Sequence, residues 1–259
     1  PSPHPHRSWH FRPGGSATTD GGVGMAAAWG IRFLDEEGEP IPLSGQGLGL
    51  LSRIDMSGKD KRLDQCQILV ASDVDNPLYG AQGAAHVFAR QKGADLAMVH
   101  RLDQNLRRYS RVLAEQLGAD FSAHPGAGAA GGLGTAFLAF SPAQIKSGIS
   151  VILEQVRFEQ SVEDADLIIT GEGKLDGQTL HGKVPFGVAQ RARKKGIPVI
   201  AIVGDVGAGA EKMYDHGIDA IFSINRVAVP FSEAKKRSKQ DLAAVSEDLA
   251  RLLRLVLRN

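Results

Sequence analysis

From Asp166 onward the chain repeats one pattern: a short uninterrupted apolar run, a turn, a segment of helical period, then the next apolar run. Continuous aliphatic runs suit strands covered on both faces, which is the habit of parallel sheets. The runs are Asp166–Thr170, Pro198–Val203 and Asp219–Ile224, with Gln67–Ala71 farther upstream. Strands alternating with helices predict parallel pairing through right-handed crossovers, which puts the chain in the α/β class. Three strands make a small sheet, so either further strands come from the other half of the chain or some are missing.

Helical period is read over 82–91, 96–117, 144–158, 184–194 and 239–257. In the last of these, Leu249, Leu252, Leu253 and Val256 follow the spacing of a single buried stripe. The opening Pro1–Pro13, PSPHPHRSWHFRP, has neither helical nor strand period and reads as a tail foreign to the rest of the chain. Its His4, His6 and His10 could hold a metal, but their composition favours the tail reading.

At 259 residues and 42% hydrophobic content the chain can bury a large core or two modest ones. A formal charge of +1 gives no global attraction for nucleic acid or an anionic membrane, so a charged ligand must be met locally. Cys66 is the one cysteine, which excludes an internal disulfide framework and fits a reducing cytoplasm. No stretch approaches the roughly 18 apolar residues of a membrane span. The reading is a cytoplasmic protein with no nucleic-acid or membrane partner.

Three glycine-rich segments stand out: Gly14–Gly24 (GGSATTDGGVG), Gly126–Gly134 (GAGAAGGLG) and Gly171–Gly182 (GEGKLDGQTLHG). Each precedes a segment that reads as helix. Glycine lets the backbone approach a ligand, and amides at a helix start attract phosphate or carboxylate. The competing explanation is tight turning and close packing. Gly126, Gly128 and Gly131 satisfy G-x-G-x-x-G, but the preceding FSAHP is no hydrophobic strand, so the dinucleotide fingerprint lacks its context. Gly177–Lys183 satisfies G-x-x-x-x-G-K, yet Val184 stands where a phosphate-loop enzyme needs Ser or Thr for magnesium.

Past the strand Gln67–Ala71 comes Asp73-Val74-Asp75-Asn76-Pro77-Leu78. Carboxyl ends of strands are where open α/β sheets place ligands. Asp73 and Asp75, two apart, face one side in extended chain, with Val74 turned away. One of them can bind magnesium or act as base, or the segment is an Asx turn before Pro77. Glu172, Asp176 and Lys183 follow the strand Asp166–Thr170 and offer carboxylates for a metal and an ammonium for phosphate, or are solvated loop charges.

Four stretches in order, GGSATTDGG, SDVDNPLYGAQGAAHVFARQKGA, PGAGAAGGLG and ADLIITGEGKLDGQTLHGKVPFGVA, together resemble the glycerate kinase family over about Gly14–Gly204. The resemblance implies two α/β domains with a cleft between them, one Rossmann-like and here incomplete, where ATP, magnesium (Mg2+) and glycerate meet. It gives domains at 14–162 and 163–259, the latter the carboxyl-terminal part of the Rossmann-like domain, with 1–13 outside the family. The product is a phosphoglycerate, 2-phosphoglycerate favoured, and a homodimer is the assembly to test.

Carried over by position, the matching polar residues are Asp20, Asp73, Asp75, Asn76, Glu172 and Asp176, with Lys183 beside them. The roles expected are Asp73, Asp75 and Lys183 as catalytic, and Glu172 and Asp176 as metal ligands. Gly15, Ser16, Asp20, Asn76, Gly128, Gly131, Gly171 and Gly173 are expected to hold substrate or phosphate. Family members ordinarily begin with a DSFKGS-like strand and loop followed by an ADGGEGT-like loop, and neither occurs in this sequence. The expectation is a truncated or mis-started chain of impaired activity. The rivals are a kinase of another small hydroxy acid and a non-catalytic remnant that binds ligand.

Overall fold

The computed structural model describes residues 8–177, 179 and 182–256. His4 and His6 of the opening segment, and Gln178, Leu180 and His181 of the third glycine-rich segment, lie outside the described residues. The chain divides into two compact units, Pro1–Gly148 and Ile149–Asn259.

In the first unit, β1 (Ser8–Phe11), β4 (Gln67–Ala71) and β5 (Gln144–Lys146) form a parallel sheet in that order. Beside it β2 (Arg32–Leu34) pairs antiparallel with β3 (Arg53–Asp55). β4 occupies the span its apolar run predicts. β1 does not follow from local pattern: Ser8–Phe11 lies in the stretch read as a tail, yet Ser8 pairs with Gln67 and Phe11 with Val70. Its cause is tertiary, since the ladder partner is distant in sequence and the Phe11 ring rests 5.0 Å from that of Phe137.

The helix expected over 144–158 is corrected in its first turn. Gln144–Lys146 is strand β5 on the edge of β4, and the helix α4 (Gly148–Gln155) starts only after it. Edge pairing satisfies backbone groups that an isolated helical period would assign to a first turn. Arg157 at φ 52 then separates α4 from the short α5 (Phe158–Ser161).

The unit's helices are α1 (Val23–Ala28), α2 (Leu96–Leu117) and α3 (Ala129–Phe140). α2 starts where the Asp95 side chain accepts a bond from the Met98 amide at 2.7 Å, and it ends at Gly118, φ 71. Its Val99, Leu106, Tyr109 and Leu113 recur on one face and are buried. They meet Phe33 and Phe140, whose rings contact each other edge-on at 5.9 Å. Burying a side chain such as Leu106 or Phe33 stabilises by about 1.5–3 kcal/mol. The stretch predicted as helix over 82–91 is a π-helical turn, Ala85–Ala89, followed by a 3-10 turn, Arg90–Lys92, that stops at Gly93 with φ 98.

The second unit holds the parallel sheet β6 (Ile168–Leu175), β7 (Val199–Val206), β8 (Ala220–Ser223), in sequence order. Helices α6 (Val184–Lys194) and α7 (Phe231–Val256) complete it. The central strand shows why its run was uninterrupted. Val199, Ala201 and Val203 pack with Val188, Ala189 and Ala192 of α6, while Ile200 and Ile202 pack with Val245 and Leu249 of α7. Each face is covered, as the apolar run required.

Three expectations are corrected here. β6 does not stop at Thr170 but runs through Gly171 and Gly173 to Leu175, because β7 extends to Val206 and supplies the ladder, Glu172 opposite Val203 and Lys174 opposite Asp205. α7 begins at Phe231 rather than Lys239, with the Ala234 amide bonding to the Pro230 carbonyl at 3.0 Å. Its buried residues are Asp241, Val245 and Leu249; Leu252, expected on that stripe, is 50% exposed. Leu253, four beyond Leu249, packs partly buried against that cluster, whereas Leu252 faces solvent. Among the described residues no helix is long and apolar enough to cross a membrane.

Candidate functional site

In the first unit, three segments far apart in sequence come together through backbone. The Gly21 amide donates to the Gly131 carbonyl at 3.0 Å, and the Gly128 amide to the Asn76 carbonyl at 2.9 Å. The approach is closer than any side chain permits. A Cβ on Gly131 would stand 2.1 Å from the Thr18 carbonyl oxygen, and one on Gly128 would stand 2.2 Å from that of Pro77. The segment 126–134 thus docks on 18–21 along one stretch and on 76–77 along another.

Its conformation is unusual. Ala130, Gly131 and Gly132 all have positive φ, at 52°, 75° and 96°. For alanine this region costs about 1–2 kcal/mol, and such strain persists where the surroundings over-determine it.

Around this junction lie the polar residues that the sequence singled out. An Asp20 carboxylate oxygen accepts from the Gly22 amide at 3.0 Å, closing the turn into α1. Gly15 has φ 67, and no described residue crowds it. The Ser16 hydroxyl is bonded by the Lys92 ammonium at 2.9 Å. Asp73 accepts from the Gly148 amide at 2.9 Å, and its other oxygen lies 3.6 Å from Arg12, both side chains well exposed. The Asn76 side-chain amide donates to the Gln82 carbonyl at 2.8 Å. Asp73, Val74 and Asp75 are all exposed, so Val74 is not turned into the core.

Several residues here have no sequence signal. Lys92 also donates to the Thr18 carbonyl at 2.5 Å. Burial pushes its ammonium below its ordinary range, and the nearby Asp20 charge acts against that shift. The Tyr109 hydroxyl is fully buried and makes no hydrogen bond among the described residues. Burial, and then the Asp20 charge, push this phenol far above its usual range. Asp103, 5% exposed, accepts from the Gly80 amide at 2.6 Å and from Arg107 at 2.8 Å, so it ties the end of the 73–80 stretch to α2. Lys92 closes a short turn and Asp103 sits on a helix; each reads as surface until its partner is known.

In the second unit, Gly171, Glu172 and Gly173 are strand residues of β6, and Asp176 follows its end. One Glu172 oxygen accepts from the Gly173 amide at 3.0 Å. The Asp176 amide donates to the hydroxyl of the fully buried Thr179 at 3.1 Å. Lys183 caps α6, and its ammonium lies 3.9 Å from Asp176, a loose pair in which Lys183 is 40% exposed. Lys174 and Asp205, neither singled out by the sequence, stand 3.7 Å apart on neighbouring strands.

Lys174, Asp176 and Asp205 lie at the carboxyl ends of β6 and β7, and Asp176 is beside the start of α6, a geometry suited to phosphate. Among the described residues no group of three or more His, Cys, Asp or Glu side chains is placed to hold a metal. Magnesium takes oxygen ligands, commonly one or two carboxylates together with substrate phosphates. Glu172 and Asp176 offer oxygen donors of that kind.

Comparison with known proteins bears on the same segments. The model of the Glycerate kinase family matches residues 12–254. A glycerate kinase of Halalkalibacterium halodurans is 47% identical over 237 residues, covering 92% of this chain and 62% of the relative. A glycerate 2-kinase of Escherichia coli is 44% identical, covering 95% of this chain and 65% of the relative. A solved structure assigned as glycerate kinase 2 from Salmonella typhimurium superposes with a TM-score of 0.74 at 43% identity, over 96% of this chain and 66% of that one. The chain therefore spans less than two thirds of the length of these relatives. With nearly all of its residues inside the family match, the chain belongs to the glycerate kinase family.

Proposed function

We propose that this chain carries the phosphoryl-transfer chemistry of a glycerate kinase, moving the terminal phosphate of ATP to a hydroxyl of D-glycerate, with 2-phosphoglycerate as product. The observation that carries the reading is the family match over residues 12–254, joined to relatives whose names specify glycerate as the compound phosphorylated. Phosphoryl transfer asks for an aligned acceptor hydroxyl, a bridging cation and fixed dipoles around the moving group.

In this reading Asp73 or Asp75 serves magnesium or the acceptor hydroxyl, Lys183 neutralises phosphate, and Glu172 and Asp176 hold Mg2+ against the nucleotide. Magnesium would supply charge neutralisation of the polyphosphate. Amides and side chains at Gly15, Ser16, Asp20, Asn76, Gly128, Gly131, Gly171 and Gly173 hold substrate or phosphate. The 3.9 Å separation of Lys183 from Asp176 supports the assignment, because a loosely paired ammonium can turn to an incoming anion. We place the protein in the cytoplasm, with a homodimer as the assembly to measure.

The test is ADP release by the purified chain with ATP, Mg2+ and D-glycerate, run beside other small hydroxy acids. Glycerate-dependent ADP release is expected. Release only with a different hydroxy acid would replace the substrate. Binding of glycerate without any release would replace the kinase by a ligand-binding protein.

A further inference from the structure

We propose that Lys92 is a positioning residue for the acceptor: its ammonium fixes the Ser16–Asp20 stretch and offsets the Asp20 charge, so that an anionic hydroxy acid can settle beside that carboxylate. The inference rests on the kinase reading and deepens it by assigning a residue to one of the two substrates.

Lys92 sits at the end of the turn Arg90–Lys92, immediately before the left-handed Gly93 that stops it. A lysine in such a place ordinarily keeps its head in water. Here the ammonium instead donates to Ser16 Oγ at 2.9 Å and to the Thr18 carbonyl at 2.5 Å, two bonds into a loop that is distant in sequence.

The rest of that loop is held by backbone packing. Gly21 bonds Gly131, and a Cβ on Gly45 would stand 2.2 Å from the Thr19 carbonyl. Lys92 adds a charge to this scaffold, and the Asp20 charge partly offsets the burial that depresses its ammonium. The Tyr109 ring lies against the neighbouring Gly21, 2.8 Å from where a Cβ there would stand, and the Asp20 charge helps to raise this fully buried phenol.

An uncompensated carboxylate there would repel a substrate that carries its own, and like-charge juxtaposition is costly. A magnesium nucleotide brings its own counter-ion, whereas a hydroxy acid does not. The demand for a fixed cation near Asp20 therefore falls on the acceptor.

The test uses the whole chain. Lys92→Met should raise KM for D-glycerate at least 10-fold and leave KM for ATP within about 2-fold, and Lys92→Arg should recover most of the loss. A purely structural lysine would instead lower Tm and shift both KM values together, and that result would overturn the proposal. Should Lys92→Met fold poorly, labelling of the unsubstituted chain decides. D-glycerate should slow acetylation of Lys92 by acetic anhydride, read by peptide mass spectrometry, and ATP alone should not. Equal labelling with and without glycerate overturns the assignment. If turnover is normal in that case, only the role of Lys92 falls; if the chain neither turns over nor binds glycerate, the kinase reading falls with it.

Discussion

Gly128 and Gly131 of the first unit look like Gly173 and Gly177 of the second in sequence but meet opposite demands. At Gly128 and Gly131 another strand of backbone lies where a methyl group would go, 2.2 and 2.1 Å away. At Gly173 no atom of the described residues stands within 4 Å, and the nearest one to a Cβ on Gly177 is 3.7 Å off. The first set is glycine because the chain must touch itself. The second set leaves backbone open at the end of a parallel strand, where a ligand can approach. Glycine richness alone therefore does not distinguish a packing junction from a binding loop.

The sharpest way to break this contrast is substitution. Gly131→Ala and Gly128→Ala should each destabilise the chain by more than about 3 kcal/mol, since a Cβ would meet a carbonyl oxygen and Gly131 also needs positive φ. Gly173→Ala should change unfolding free energy by less than about 1 kcal/mol. Urea titrations of the three variants suffice, and equal losses would erase the distinction.

Lys183→Met probes the second region from the opposite direction. It should lower kcat about 100-fold while leaving Tm within a few degrees, because the residue caps a helix without a side-chain cap bond. A large fall in Tm would make it structural.

Asp103→Ala should cost about 2–4 kcal/mol by unpairing Arg107 and the Gly80 amide, with unfolding by urea as the measure. Ala130→Gly should gain about 0.5 kcal/mol, the relief of left-handed strain less the entropy of glycine; a loss would mean that the methyl contributes packing.

The smallest effect lies outside both regions. Bonds from the Arg62 guanidinium, then from the Arg62 amide, pull Asp60 down to about 2 from 3.8. A depressed carboxylate stabilises the fold above its unfolded value, and that contribution fades as pH falls from about 4 to about 2. Asp60→Asn should thus lower Tm slightly at pH 7 and leave it unchanged well below pH 2. Because the pair is exposed, added salt should shrink the difference.

Much of the second unit was legible. The uninterrupted run of β7 announced burial on both faces, and 184–194 carried its helical period to the residues that form α6. The family was legible as well, because GGSATTDGG, SDVDNPLYG and PGAGAAGGLG are long enough to be specific. What escaped were elements whose bonds are all distant. β1 has no period and exists through its ladder on β4, β5 borrows the first turn expected of a helix, and β6 continues through its glycines because β7 runs alongside.

By itself the sequence determined the α/β class, the family and the residue types on offer: carboxylates at strand ends, amides in glycine turns, one lysine before α6. Tertiary structure decided which glycines are junctions, and it drew Lys92, Asp103 and Tyr109 into the neighbourhood of loops that none of them adjoins in sequence. Periodicity records the environment of a segment against its own neighbours. Hydrogen bonds, charge offsets and van der Waals limits between remote segments depend on coordinates that no local pattern encodes.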